Sequence, residues 1–135
     1  MRRLNLPMDQ MEELFRRMTF NVAARNQYDH VKNIAFLMDR KGEWSLAPAF
    51  DVTWAMDPAN KWLRQHQMSV NGRREDFTRA DLEACAATAS INAARARTII
   101  DEVVATVADW PRFAEAAEVD GGMRRSIDPS LRLSL

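Results

Sequence analysis

Pro48 stands two residues beyond the run Trp44-Ser45-Leu46 and leaves this chain little room for sheet. Ile34 to Met38 is short, apolar and bounded by polar residues, which reads as a strand. Asp39 to Gly42 is a hairpin-type turn ending in glycine, and Trp44 to Leu46 is the return strand. Proline has no N–H to give a ladder, so Ala47-Pro48-Ala49 closes the hairpin, at about residues 34–46. Elsewhere the apolar spacing is mostly helical. Met11, Leu14, Phe15, Met18 and Val22 recur at helical intervals and predict a helix from Met8 to about Arg25. Asp9 is its expected N-cap, with Glu12 completing a capping-box spacing. Gln67 to Val70 offers one further short strand. Thr78 then caps a helix from Arg79 to about Ala89, with Asp81 in its first turn. Ser90 starts another helix that runs to about Trp110. Pro111 breaks that helix or opens a third over Arg112 to Glu118, which Asp120-Gly121-Gly122 ends. A last turn falls at Asp128-Pro129. The expected fold class is mainly α with one small β-hairpin.

With 135 residues the chain has enough length for one domain with a modest core. It divides into a block at 1–72 that contains an unusual polar loop and a helical block at 73–135 that reads as structural. Lys+Arg and Asp+Glu both number 19, so no basic field points to direct nucleic-acid binding. The single cysteine, Cys85, excludes an intrachain disulfide and fits a reducing cytoplasm, and it reads as a small buried hydrophobe. Two distant histidines and one cysteine do not make a zinc cluster. No stretch approaches the roughly 18 apolar residues of a membrane span, and MRRLNLPMDQ lacks the apolar region of a signal peptide. Trp44, Trp54, Trp62 and Trp110 read as core or rim packing, and the pairs Arg73-Arg74 and Arg124-Arg125 as solvated charge.

The polar loop raises the question of function. Phosphoryl transfer needs a group to accept the substrate hydroxyl's proton and hard oxygen ligands for Mg²⁺. Kinases place the base five residues before an Asn ligand, and a second ligand, an Asp, follows a short hairpin. Here Asn33 takes the loop-ligand position and Asp51 the position after the hairpin. Five residues before Asn33 stands Tyr28, with Asp29 beside it; His30 is close enough to face a phosphate. Asp51 lies between apolar Phe50 and Val52, where a buried charge is costly unless paired or metal-bound. A second reading fits the same spacing: Asn26, Asp29 and Asn33 as turn and capping residues, and Asp51 as a backbone-bonding Asp after Pro48.

Asn26-Gln27-Tyr28-Asp29-His30-Val31-Lys32-Asn33 resembles the N-x-D-D-H-x-K-N loop of the HipA-type toxin kinases. Trp44-Ser45-Leu46-Ala47-Pro48-Ala49-Phe50-Asp51-Val52-Thr53 is similar to that family's W-x-L-[AS]-P-A-[YF]-D-[LV]-T, and His66 to Leu82 looks like its link into the terminal helices. The resemblance implies the helical, kinase-like C-terminal lobe of a serine/threonine protein kinase. Such kinases use ATP and Mg²⁺ on a protein target, an aminoacyl-tRNA synthetase being the best-known class. They pair with a DNA-binding antitoxin in toxin–antitoxin systems. Asn33 and Asp51 carry over as Mg²⁺ ligands, while His30 and Lys32 match the loop with less defined roles.

Two departures shape the expectation. The family's catalytic Asp position holds Tyr28, and a phenol, with an ordinary pKa of about 10, is a poor base at neutral pH. Losing a general base costs roughly 10²–10⁴-fold. Asp29 is at most a weak surrogate, because adjacent side chains normally point elsewhere. The family's nucleotide lobe, with its phosphate-covering loop, has no counterpart in these residues, whose four glycines form no Gly-rich run. The expectation is therefore a C-lobe that is inactive alone and binds no ATP by itself. The alternative is a non-catalytic module that pairs with a separate nucleotide lobe, an antitoxin or a second copy of itself.

Overall fold

The computed structural model describes the backbone of residues 1–135 and every side chain except that of Arg2. Five α-helices and one two-stranded hairpin make the fold: α1 (Met8–Ala23), β1 (Phe36–Met38), β2 (Trp44–Leu46), α2 (Arg79–Thr88), α3 (Ala93–Ala108), α4 (Trp110–Ala116) and α5 (Gly121–Ile127). It is mainly helical, as expected. The hairpin is tighter than the run Ile34 to Met38 implied, because pairing begins at Phe36 opposite Leu46 and ends at Met38 opposite Trp44. Asp39 organises the turn: its Oδ1 accepts the Lys41 and Glu43 N–H groups, each at 2.8 Å. Gly42 takes the left-handed conformation (φ 85°) that lets the chain reverse.

The core is the seam between α1, α2 and α3. Phe15, Val22 and Ala23 of α1 meet Leu82 and Ala86 of α2 and Ile99, Ile100, Val103 and Val107 of α3. Val70 and Phe77, on the irregular connection, complete it. The two sequence blocks therefore share one core. Cys85 packs against that core but is only half-buried. Trp62 is exposed and Trp44 largely so, while Trp54 and Trp110 lie half-buried on the rim.

Several boundaries differ from the sequence reading, each for a local reason. Pro7 is the N-cap of α1, and Asp9 already lies in the first turn, accepting only its neighbour's N–H from Gln10 at 2.9 Å. α1 ends at Ala23, because Arg25 turns left-handed (φ 57°) and the Asn26 N–H closes back on the Asn21 carbonyl at 3.0 Å. Gln67 to Val70 forms no strand; Val70 makes one isolated bridge to Arg73 around Asn71-Gly72. Asn92 rather than Ser90 starts α3, its Oδ1 accepting the Ala94 N–H at 2.9 Å. Pro111 both interrupts α3 and sits in the first turn of α4. Asp120-Gly121-Gly122 begins a helix instead of only ending one. Asp120 Oδ1 accepts the Gly122 N–H at 2.7 Å and the Met123 N–H at 3.1 Å, and a Cβ at Gly122 would stand 2.9 Å from that same oxygen. The arginine pairs are not purely solvated either: Arg74 Nε donates to the His66 carbonyl and Arg124 Nε to that of Val119.

The Thr78 cap does form, as a reciprocal box with Asp81. The Asn71 amide donates to Asp81, as do the Thr78 N–H and hydroxyl, and together these hold the Asp81 carboxyl at about 2. The folded pKa lies below the unfolded one, so this stabilisation is present above about pH 4 and is lost as pH falls through about 2. Acid titration of unfolding should show that loss, and Asp81→Asn should flatten it between those limits. Ile99 is fully buried in the α1–α3 seam. Ile99→Ala should cost about 2–5 kcal/mol in urea denaturation with the slope unchanged.

Candidate functional site

The loop between α1 and β1 begins with two buried amides, Asn26 and Gln27, and is stitched to the segment after the hairpin. The Gln27 N–H donates to the Ala55 carbonyl and the Ala55 N–H to the Arg25 carbonyl, both at 3.1 Å. One turn of 3-10 helix, Val31–Asn33, then carries the chain toward β1. The hairpin is anchored to α1 from the other side. The Leu46 N–H donates to Gln10 Oε1 at 2.6 Å and Arg17 Nη1 to the Ala47 carbonyl at 2.9 Å. Loop and hairpin exit are thereby both referenced to one helix.

Asn33 and Asp51 line the same cavity of about 180 Å³, together with His30, Phe50 and Val52. Asn33 Nδ2 donates to the Tyr28 carbonyl at 2.9 Å, which closes the loop and leaves Oδ1 without a partner among the described residues. The Asp51 carboxylate has no hydrogen bond or ion pair among the described residues. Asp51 is exposed, and so are Phe50 and Val52, so the idea of a charge buried between apolar neighbours does not hold. Its backbone is nevertheless unusual, with φ at 51°. A carboxylate and a carboxamide oxygen on one cavity are hard donors of the kind magnesium takes, which binds one or two protein groups and completes its shell with phosphate and water. The donor types of the two residues match that preference; no group of three or more His, Cys, Asp or Glu that could hold a metal ion occurs among the described residues.

The remaining loop residues part ways. Tyr28 is exposed, its ring edge-on to His30 with centroids 4.6 Å apart. Lys32 is exposed and unpaired among the described residues. His30 is half-buried, and its Nδ1 has no protein partner. Asp29 is buried, and both of its oxygens are taken. Oδ1 accepts the Gln67 N–H at 2.7 Å and the Met68 N–H at 3.1 Å, and Oδ2 accepts from His66 Nδ1 at 2.7 Å. Those three bonds tie Asp29 to the fold, and the residue also lines the cavity of Asn33 and Asp51. His66 was not visible as its partner in the sequence. The two residues lie 37 positions apart, and no periodicity links them.

A larger cavity of about 790 Å³ lies between α1, α3, α4 and α5, lined by residues such as Phe20, Trp54, Trp110 and Met123. It holds no titratable side chain and supplies no chemistry.

Asp29→Ala would leave three donors, two of them backbone, without their acceptor. It should cost about 3–5 kcal/mol by denaturant unfolding, whereas Tyr28→Ala, at an exposed ring, should stay within about 0.5 kcal/mol.

Neither the curated proteins nor the solved structures contain a match to this chain. No helix is long and apolar enough to cross a membrane among the described residues. The family model for the HipA-like C-terminal domain matches residues 1–110, a span that holds the loop, the hairpin, Asp51 and α1 to α3. With most of its length matched, the chain belongs to the HipA-like C-terminal domain family.

Proposed function

We propose that these residues are the C-terminal lobe of a HipA-like serine/threonine kinase of a toxin–antitoxin system, able to hold a metal and poorly able to take a proton. The observation that supports this is the shared cavity of Asn33 and Asp51, with the Asn33 Oδ1 and the Asp51 carboxylate both without a partner among the described residues. Those two groups would hold Mg²⁺, which when bound supplies charge neutralisation to the phosphates of ATP. Asn33 orients the loop through the Tyr28 carbonyl, and Arg17 and Gln10 fix the hairpin exit that delivers Asp51. Tyr28 occupies the position from which a carboxylate would accept the substrate proton. His30 lines the cavity and Lys32 is exposed beside Asn33 in the chain; both are groups available to a phosphate.

On this reading the 135-residue chain incubated with γ-labelled ATP, Mg²⁺ and a candidate protein target incorporates no label. Supplied with a HipA-like nucleotide lobe, Tyr28→Asp should raise transfer by roughly 10²–10⁴-fold. A flat response would remove Tyr28 from the base position. Label incorporation by the chain alone that vanishes in Asp51→Ala would overturn the inactive assignment.

A second reading, a non-catalytic module, is favoured by a different observation. Exposed large apolar residues concentrate around the site: Val31 is 83% exposed, and Leu37, Met38, Trp44 and Phe50 are also exposed. Apolar surface gathered in this way marks an interaction face, suited to a separate nucleotide lobe, an antitoxin or a second copy. Light scattering across concentration, with and without a nucleotide lobe, decides it. A strict monomer without affinity for either protein partner eliminates the module.

A further inference from the structure

Asn26 is 3% exposed and stands just past the end of α1. Both hydrogens of its side-chain amide are used. Nδ2 donates to Asn21 Oδ1 on the helix at 3.0 Å and to the Asp51 backbone carbonyl at 3.2 Å. Asp51 sits at φ 51°, a left-handed conformation that is uncommon outside glycine and that Asp and Asn reach more readily than other residues. The sign of φ determines on which side of the chain the Cβ emerges. A clamp on the carbonyl of residue 51 therefore also aims its carboxylate.

We propose that Asn26 is a positioning residue for Asp51: its carboxamide, braced on Asn21, keeps the Asp51 backbone left-handed and directs the carboxylate into the cavity shared with Asn33. The inference rests on Asn33 and Asp51 as the metal-holding pair and names the group that aims one of them. The surrounding bonds explain why a side chain is needed. The paired strands of chain here are Arg25 to Gln27 and Ala55, four residues beyond Asp51, so the backbone ladder does not reach residue 51 itself. Asn26 spans that gap. Its Oδ1 is buried without a protein partner, and Asn26 lines the same cavity, so a direct ligand role is the alternative that the test must separate.

The test uses Mn²⁺ as the probe ion, titrated into the whole chain by electron paramagnetic resonance. In parallel, backbone chemical shifts and the HN–Hα coupling of Asp51 are read by NMR without metal. Asn26→Ala and Asn26→Asp should both move the Asp51 shifts from left-handed toward ordinary negative-φ values. Both should weaken Mn²⁺ binding by roughly 10–100-fold, the range usual for groups that orient a metal ligand. Asp51→Ala, the control, should abolish binding. Left-handed Asp51 shifts that survive in Asn26→Ala would overturn the inference. So would an Asn26→Asp chain that binds Mn²⁺ as tightly as the wild type or more tightly, since Asn26 would then be a ligand itself. A wild-type chain that binds no Mn²⁺ would remove the metal reading, and the Asp51 shifts would still decide whether Asn26 sets that backbone. Should Asn26→Ala not fold, Asn26→Ser, too short to reach the Asp51 carbonyl, carries the same comparison.

Discussion

A carboxylate taken out of water must recover its hydration from donors at fixed positions, and Asp29 recovers it from His66, Gln67 and Met68. That exchange joins the loop after α1 to the irregular connection that leads into α2. His66 passes the restraint on: its ring packs edge-on against Phe77, and its backbone exchanges bonds with Arg74. Phe77 in turn belongs to the core made by α1, α2 and α3. This junction adds to the Ala55 and Asn21 bonds at the loop's start and ties a polar loop with little regular structure to the helical core.

The rest of the site follows from that anchoring. Asp29 faces inward, so its chain neighbour Tyr28 faces outward, and the loop returns through Asn33 to cap its own carbonyl. The hairpin is short because its task is to turn the chain back toward α1, where Gln10 and Arg17 receive it. Asp51 then arrives beside Asn33 from the opposite direction. Of these adjacent acidic and aromatic positions, Asp29 is buried and bonded into the fold while Tyr28 is exposed. The tail closes the same region from behind. Arg25 Nε donates to the Ser130 carbonyl, Trp54 Nε1 to the Ser130 hydroxyl, and the Arg132 N–H to the Ala23 carbonyl.

Helices with a strong local signal were legible. The apolar spacing of Met11 to Val22 found α1, the Thr78–Asp81 box found the start of α2, and Pro48 set the limit of the hairpin. Ends were less so, because capping is a contest between neighbouring candidates. Asp9 lost to Pro7 and Ser90 to Asn92 once the geometry of the first turn was decided. Asp120-Gly121-Gly122 reads equally well as a stop and as a start, and only the packing of α5 chose the start. At the site, Asn33 and Asp51 were nameable from spacing, but the environment of Asp51 was not: apolar neighbours in sequence are no guide to burial where Phe50 and Val52 both face solvent.

What the sequence determined by itself is therefore local and compositional. It specifies helices with period-3.6 apolar faces, one hairpin closed by a proline, an oxygen-donor pair flanking that hairpin, and a tyrosine five residues before Asn33. These follow from residue type and short-range spacing, which survive without knowledge of the fold. Only the tertiary structure decided that Asp29 is spent on His66, that Asn26 reaches across 25 residues to the Asp51 carbonyl, and that Asp51 is open to solvent with a left-handed backbone. Each of these depends on where distant segments meet, and a chain's apolar periodicity fixes which face turns inward without saying which polar groups will find one another there.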